Sequence, residues 1–555
     1  LADWHLPNTH YLEAWGDATS YDGTVSIVQP IIQPLFDGKS EIEFLANLLG
    51  SPTDGLELVK KTHGMTEKAW REALHRGVVS RGEPAQVPVA NTSVPTPSSK
   101  KYEGLEIIFR EDPHVFDGRY SNNGWLQELP KPLTKTVWEN LAFVSVATAK
   151  KLNLNTEDVI ELQYGGVPTN AGVFVQPGHP EDAITVHFGY GRTHGGTVAT
   201  TTDTQGGGFN AFAMRQSSAM WFDSLPEPRK VSSGGHMVST TQVHNQIDDS
   251  RDVIRTGTIA EYMKNPALRE QESHGGSPES KSLYPDNIFD YEGPQWGMTI
   301  DMNVCTGCNV CAIACQAENN ISVVGKEQVR NGREMHWIRI DRYYTGDIAS
   351  PDEVVFQPVA CVHCEKAPCE PVSPVMSTLH RLQGFNHTVY NLSARTRYGS
   401  TNYPGKVRRF NYKNWSDNQI QFMNPVPAIK LLAGNTTEEK TDGIQLLRML
   451  NNPDVTVRGR GVMEKCTYCV QRINNVRIEA KKAGREPKEG EIVTACQQAC
   501  PTQAIVFGNV ADPESEVSKM RNDARSYQLL RELQTRPRTS HMGRLRNPNP
   551  ELVKA

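Results

Sequence analysis

The chain has 555 residues, 22% of them charged, with a formal net charge of -5. That length is too great for one ordinary hydrophobic core and predicts about three folded units. The near-neutral balance gives no pull towards nucleic acid, and no run approaches the roughly 20 consecutive apolar residues of a membrane-spanning helix, so membrane association would come through partner subunits.

The chain opens at Leu1 without Met, a basic n-region or an apolar h-region, and so without the marks of a signal peptide. The stretch LADWHLPNTHYLEAWGDATSYDGTVSIVQP reads as the middle of a domain, which predicts either processing or a first half carried elsewhere. Residues 1–82 alternate short apolar runs with polar turns, and EIEFLANLLG has helical spacing. Residues 83–101, GEPAQVPVANTSVPTPSSK, are rich in Pro, Ser and Thr and predict a linker.

Residues 102–222 are mostly β in pattern. LEIIFR, DVIELQYGG, GVFVQPG and AITVHFGYG are β-branched or aromatic runs closed by Gly or Pro, and predict a small β-barrel. A helix is expected around TKTVWEN and VATAKKLNL. Residues 223–292 read as a second linker, a further domain follows over 293–510, and 511–555 form the tail. In the tail Val517, Met520, Ala524, Tyr527 and Leu530 share one helical face, ahead of an extended, Pro-broken RLRNPNPELVKA.

The cysteines carry the chemistry. The first 304 residues have none, and all eleven lie between Cys305 and Cys500, which is unlike the spread of a disulfide-stapled secreted protein. Cys305, Cys308, Cys311 and Cys315 follow C-x2-C-x2-C-x3-C. In that spacing three cysteines wrap three corners of a cubane, and the fourth ligates a different cluster. Structural zinc favours two separated C-x2-C knuckles instead.

Cys466, Cys469, Cys496 and Cys500, the last followed by Pro501, taken alone would also suit a zinc ribbon. Taken with the first group they close two [4Fe–4S] sets, Cys305, Cys308, Cys311 with Cys500, and Cys466, Cys469, Cys496 with Cys315. The middle group, Cys361, Cys364 and Cys369, lacks a fourth cysteine before Pro374, where Ser373 stands. Three thiolates predict a [3Fe–4S] cluster; a zinc site completed by His363, or an empty site, are the other readings.

Several stretches resemble a known family. WGMTIDMNVCTGCNVCAIACQAENNISVVGKEQV, REMHWIRIDRYY, VYNLSARTRYGSTNYPGKVRRFNY and CTYCVQRI resemble the four-cluster electron-transfer subunits of molybdopterin oxidoreductases. Upstream, WLQELPKPLTKTVWEN, VFVQPGHPEDAITVHFGYGRTHGG and GGGFNAFAMR resemble the pterin-nucleotide-binding β-barrel of the large molybdopterin subunits, and HYLEAWGDATSYDGTVSIVQPIIQPLFDG resembles the end of the domain before it. Fusion of the two is similar to the iron–sulfur B subunits of bacterial alternative complex III.

The resemblance implies an α+β multidomain fold: a remnant α/β molybdopterin-type segment, a double-psi-like β-barrel and a ferredoxin-like iron–sulfur domain. It also places the family's missing ligands at Ser393, Gly399 and Tyr403, so three clusters are expected rather than four. No molybdopterin is expected, since no Cys precedes residue 305 to ligate molybdenum and Gly-rich turns such as HFGYGRTHGG are weak evidence for a pterin. Arg408, Arg409, Trp337, Tyr343 and Tyr344 read as structural, and His363 as lying beside its cluster.

No catalytic acid, base or nucleophile constellation is present, and conduction needs none. The implied function is electron transfer from quinol, oxidised at an integral membrane partner, towards a multihaem cytochrome c subunit or a periplasmic carrier. The chain would lie peripherally on the periplasmic face of the inner membrane, with a separate chain completing the molybdopterin-like N-terminal domains. Two other readings are an electron-transfer subunit of a molybdenum reductase and an assembly scaffold with structural clusters.

Overall fold

The computed structural model describes residues 3–80, 104–200, 207–247, 253–266, 289–413, 449–549 and 551. The linker expected at 83–101, and 248–252 and 267–288 within the second, lie outside the described residues. The chain divides into two compact units, Leu1–Lys100 and Lys101–Ala555.

In the first unit, strands Gly16–Thr19, Val25–Val28 and Val78–Ser80 form an antiparallel sheet in that order. Helices Glu41–Leu48, Gly55–His63 and Glu67–Arg76 begin where Ser40, Asp54 and Thr66 accept hydrogen bonds from first-turn amides that have no partner within a helix. Ile27, Val59 and Trp70 form the buried centre.

The second unit is mixed α/β. Its largest sheet has seven strands, in spatial order Arg229–Ser232, Val159–Tyr164, Val167–Val175, Ala142–Val144, Ala183–His187, Leu105–Arg110 and Phe222–Leu225. Leu105–Arg110 runs parallel to Ala183–His187, and Ala142–Val144 parallel to Val167–Val175. The alternation in LEIIFR buries Leu105, Ile107 and Phe109 on one face, where Ile160, Leu162, Val173 and Ile184 meet them. Among the described residues this is a half-barrel, with its two edges unjoined.

No helix forms over TKTVWEN. Lys135 and Trp138 have φ of +60° and +70°, left-handed values that a right-handed helix cannot contain, and the helix is confined to Val146–Lys151. The segment is instead a buried strap. Leu129, Val137 and Trp138 share a core with Ala312, Cys315, Ile321, Val324 and Trp337. Beside it the buried Glu128 carboxylate accepts from the Val324 and Gly325 amides at 2.9 and 2.7 Å. The half-barrel and the cysteine-bearing region are therefore packed through one interior.

The cysteine-bearing region is built on a four-stranded sheet, ordered Ile505–Asn509, Trp296–Asp301, Thr539–Met542 and Ser526–Tyr527. A long hairpin, Ile338–Gly346 with Pro351–Ala360, delivers the chain directly to Cys361. The tail departs from its expected helix, which spans only Glu516–Arg521. Asp523 accepts from the Arg525 amide at 2.8 Å, a turn that redirects the chain into strand Ser526–Tyr527. Leu530 then takes φ of +54°. Val517 is buried on the short helix and Tyr527 on the strand, while Met520 and Leu530 are half-buried and Ala524 is exposed, so the five share no helical face.

Candidate metal centre

Two loops of similar construction present the outer cysteines. Cys305 and Cys308 lie on a turn that enters helix Val310–Glu318, which carries Cys311 and Cys315. Cys466 and Cys469 lie on a turn that enters helix Val470–Lys482. Each helix is preceded by a left-handed residue, Asn309 at φ +65° and Cys469 at φ +50°, and neither has a side-chain cap. The first-turn amides are thus not taken up by a capping side chain, which favours negative charge nearby.

Gly307 has φ of +70°, and a Cβ there would stand 2.5 Å from the Phe356 ring, so the first turn needs glycine twice over. Asn309 ties this turn to the buried strap, donating through Nδ2 to the Pro130 carbonyl at 2.6 Å.

The thiols gather in three adjoining groups, and all eleven are free of disulfides. Burial pushes the Cys311 thiol well above the usual cysteine range, and the nearby thiols of Cys496, Cys305, Cys308 and Cys500 push it further. Cys315 is raised in the same way by burial, then by Cys466, Cys469 and Cys496. The structure thus brings Cys500 to the first turn, and Cys315 to Cys466, Cys469 and Cys496. Cys311 and Cys496 adjoin the two groups.

The third group is the most deeply buried, with Cys361, Cys364 and Cys369 all inside the protein. Burial pushes Cys364 up to about 12, with Cys361 and Cys369 adding to it. The Cys466 thiol is raised by burial and, among other thiols, by Cys361, so the third group adjoins the second. His363 of one loop stacks on Tyr468 of the other with ring centroids 3.8 Å apart.

Donors converge on the sulfurs. Backbone amides of Ala504, Tyr468 and Ala495 donate to the Sγ atoms of Cys500, Cys466 and Cys469 at 3.3, 3.4 and 3.5 Å. Asn319 Nδ2 donates to Cys315 Sγ at 3.5 Å, and Arg408 Nη2 to Cys369 Sγ at 3.0 Å. Such bonds favour thiolate over thiol, whereas burial alone opposes it.

These residues fit iron–sulfur clusters. Crowded, dry thiols resist ionising until cationic metal enters, so thiolate formation and metal binding are coupled. Among the described residues no three His, Cys, Asp or Glu side chains are arranged to hold a single metal ion. Sulfurs around one tetrahedral zinc would sit about 3.8 Å apart, closer than around a multi-iron cage.

The positions where a fourth cysteine or a fourth cluster's ligands would fall are otherwise engaged. Ser373 Oγ accepts from the Ser377 amide at 3.1 Å, and Ser393 Oγ donates to the Tyr390 carbonyl at 2.7 Å. Tyr403 is buried with its hydroxyl 3.9 Å from Cys364 Sγ, and burial followed by the nearby thiols keeps it a neutral phenol. Trp337 and Tyr344 lie in the core, and Arg409 pairs with Glu334 at 2.9 Å. Arg408 is different: nothing local in KVRRFNY signals that it reaches a sulfur 39 positions away. Lys465 and Tyr468, also unremarked by spacing alone, are buried beside the same groups.

No family model matches the chain. Over 254 residues it is 32% identical to the menaquinone reductase iron–sulfur cluster-binding subunit of Nitratidesulfovibrio vulgaris, covering 45% of this chain and 89% of that protein. It is 29% identical to an Hdr-like menaquinol oxidoreductase iron–sulfur subunit of Archaeoglobus fulgidus, covering 44% of this chain and 82% of that one. It is also 29% identical to a dimethyl sulfoxide reductase iron–sulfur subunit of Halobacterium salinarum, covering 44% and 78%. Among solved structures, acetylene hydratase from Pelobacter acetylenicus matches at a TM-score of 0.24 and 19% identity, over 34% of this chain and 31% of that one, too slight a likeness to support an argument.

Proposed function

The chain belongs to the family of iron–sulfur cluster-binding subunits that includes that of menaquinone reductase, and we propose that it conducts electrons between quinol and an acceptor within a membrane-associated oxidoreductase. The observation that carries this reading is the gathering of eleven free, buried or half-buried thiols into three adjoining groups with none left over. Bound there, iron–sulfur clusters exchange single electrons with little ligand movement, at potentials set by hydrogen bonds, charge and exposure.

In this reading Cys305, Cys308, Cys311 and Cys500 hold one [4Fe–4S] cluster, and Cys315, Cys466, Cys469 and Cys496 a second. Cys361, Cys364 and Cys369 hold a [3Fe–4S] cluster, with no fourth cluster and no molybdopterin. The chain's residues link the loops of the second and third groups: His363 and Tyr468 stack on each other and both are buried.

The finer assignment is to the iron–sulfur B subunits of alternative complex III. Residues 1–82 would be a remnant of a molybdopterin-type catalytic domain, 102–222 a pterin-nucleotide-binding-like barrel, and 293–510 the polyferredoxin-like domain, with 83–101 and 223–292 as linkers and 511–555 as tail. Among the described residues no helix is long and apolar enough to cross a membrane, so attachment would run through an integral quinol-oxidising partner. A multihaem cytochrome c partner and the periplasmic face complete the proposal.

A second reading, the electron-transfer subunit of a molybdenum reductase, draws support from the likeness to a dimethyl sulfoxide reductase iron–sulfur protein. Rapid mixing of the oxidised complex with a quinol tests the first. The broad visible absorbance of the clusters is expected to bleach within turnover time; a complex that turns over without bleaching contradicts conduction through this chain. Stoichiometric molybdenum in the same preparation would favour the second reading.

A further inference from the structure

We propose that Arg408 and Lys465 are fixed counter-charges for an anionic group at the middle site, and that Arg408, acting through Cys369, raises that group's reduction potential. The proposal rests on the reading of Cys361, Cys364 and Cys369 as cluster ligands and assigns the residue that tunes them.

The argument starts from two buried cations. Arg408 is 6% exposed and Lys465 1%. Buried Lys131, Lys326 and Arg458 each have a carboxylate within 3.2 Å, namely Asp112, Glu139 and Glu464. Arg408 has none among the described residues. Its Nη2 donates to Cys369 Sγ and to Asn386 Oδ1, both at 3.0 Å, and its Nη1 to Thr388 Oγ1 at 3.1 Å. Lys465 Nζ donates to the Asn386 and Cys466 carbonyls, at 2.5 and 3.0 Å.

Two buried cations held by neutral groups cost heavily unless an anion lies beside them. The thiolates of the middle group, with the cluster they would carry, are that anion. Arg408 already touches the Cys369 sulfur, and Lys465 meets it at Asn386, bonding the carbonyl of the residue whose side chain Arg408 bonds. The guanidinium group is a cation in proteins as a class, so the arginine supplies a standing positive charge.

Placement gives the same answer. A Cβ at Gly399, where the resemblance expects a fourth-cluster cysteine, would lie 3.5 Å from Arg408 Cδ and 3.8 Å from Cys369 Cβ. The guanidinium therefore fills room beside that position. Reduction adds one negative charge to the middle group, and a permanent cation bonded to its ligand sulfur stabilises the reduced form more than the oxidised one.

The test is redox potentiometry of the cluster-loaded full chain, read by low-temperature EPR, on the unaltered protein and on Arg408→Gln, Arg408→Lys and Asn386→Asp. Arg408→Gln is expected to lower the midpoint of the middle signal by at least a tenfold change in the oxidised-to-reduced ratio, about 59 mV for one electron. Arg408→Lys retains most of the potential, and the other two signals stay within a smaller shift. Asn386→Asp is isosteric, gives up the Asn386 Nδ2 bond to Glu370 at 3.0 Å and sets a carboxylate against the guanidinium, so it lowers the midpoint even where Arg408→Gln fails to assemble. An unchanged middle midpoint in the assembled variants overturns the tuning role. Absence of any middle signal from the unaltered protein overturns the cluster reading itself.

Discussion

Arg458 and Glu464, the latter two residues before Cys466, form an ion pair at 2.8 Å with both side chains almost wholly buried. Glu464 also accepts from Trp337 Nε1 at 3.2 Å and Asn411 Nδ2 at 3.2 Å, so losing the arginine strands a buried carboxylate. Arg458→Met is expected to destabilise the unit by about 3–5 kcal/mol, read from denaturant midpoints. At Gly307, alanine adds left-handed strain to a collision with Phe356. Gly307→Ala is expected to cost about 1–3 kcal/mol and to lower iron retention at the first group, with partial recovery when Phe356→Ala makes room. A first-group EPR signal equal to the parent's in Gly307→Ala would contradict that account. At this scale the sequence was most legible where the cysteines are neighbours: the C-x2-C turns could be read from spacing because each turn is local. Arg408, Lys465 and the seating of His363 on Tyr468 could not, since they meet only after distant segments have packed.

Single elements show where pattern and structure part. The spacing of Val517, Met520 and Tyr527 suits a helix, yet the Asp523 turn ends it, and Tyr527 is buried on a strand with its hydroxyl 2.8 Å from Gln357 Oε1. Over TKTVWEN the apolar residues face a core shared with the cysteine-bearing helix, and tertiary packing overrides helical propensity. The β runs from Leu105 to His187 were readable because alternation and Gly or Pro ends agree with the sheet that buries them. Strand Thr539–Met542 lies next to Trp296–Asp301, the strand that leads into the first cysteine turn. Deleting residues 526–555 is therefore expected to expose the edge of Trp296–Asp301 and to release iron from the first two groups. Iron content and far-UV circular dichroism of the shortened chain check this; full iron retention would contradict it.

Across the whole molecule, buried histidines set an acid limit. Burial holds His114, His187 and His541 down to about 4 and His336 to about 3. Unfolding lets each take a proton near its ordinary value of about 6.5, so the unfolded state binds more protons below that pH. Stability is therefore expected to fall as pH drops from about 6.5 towards 4, by up to about 1.4 kcal/mol per pH unit for each histidine. Urea midpoints at pH 7 and pH 5 check the sign, and His336→Gln should shrink the difference.

The same scale carries the central claim, that one polypeptide folds its distant cysteines into three iron-bearing cages in a row. Quantitative low-temperature EPR with iron analysis of the intact, cluster-loaded chain tests it most directly. Two reduced [4Fe–4S] signals, one oxidised [3Fe–4S] signal and roughly eleven irons per chain are predicted. Stoichiometric zinc with no paramagnetic cluster, or a fourth cluster signal, would contradict it.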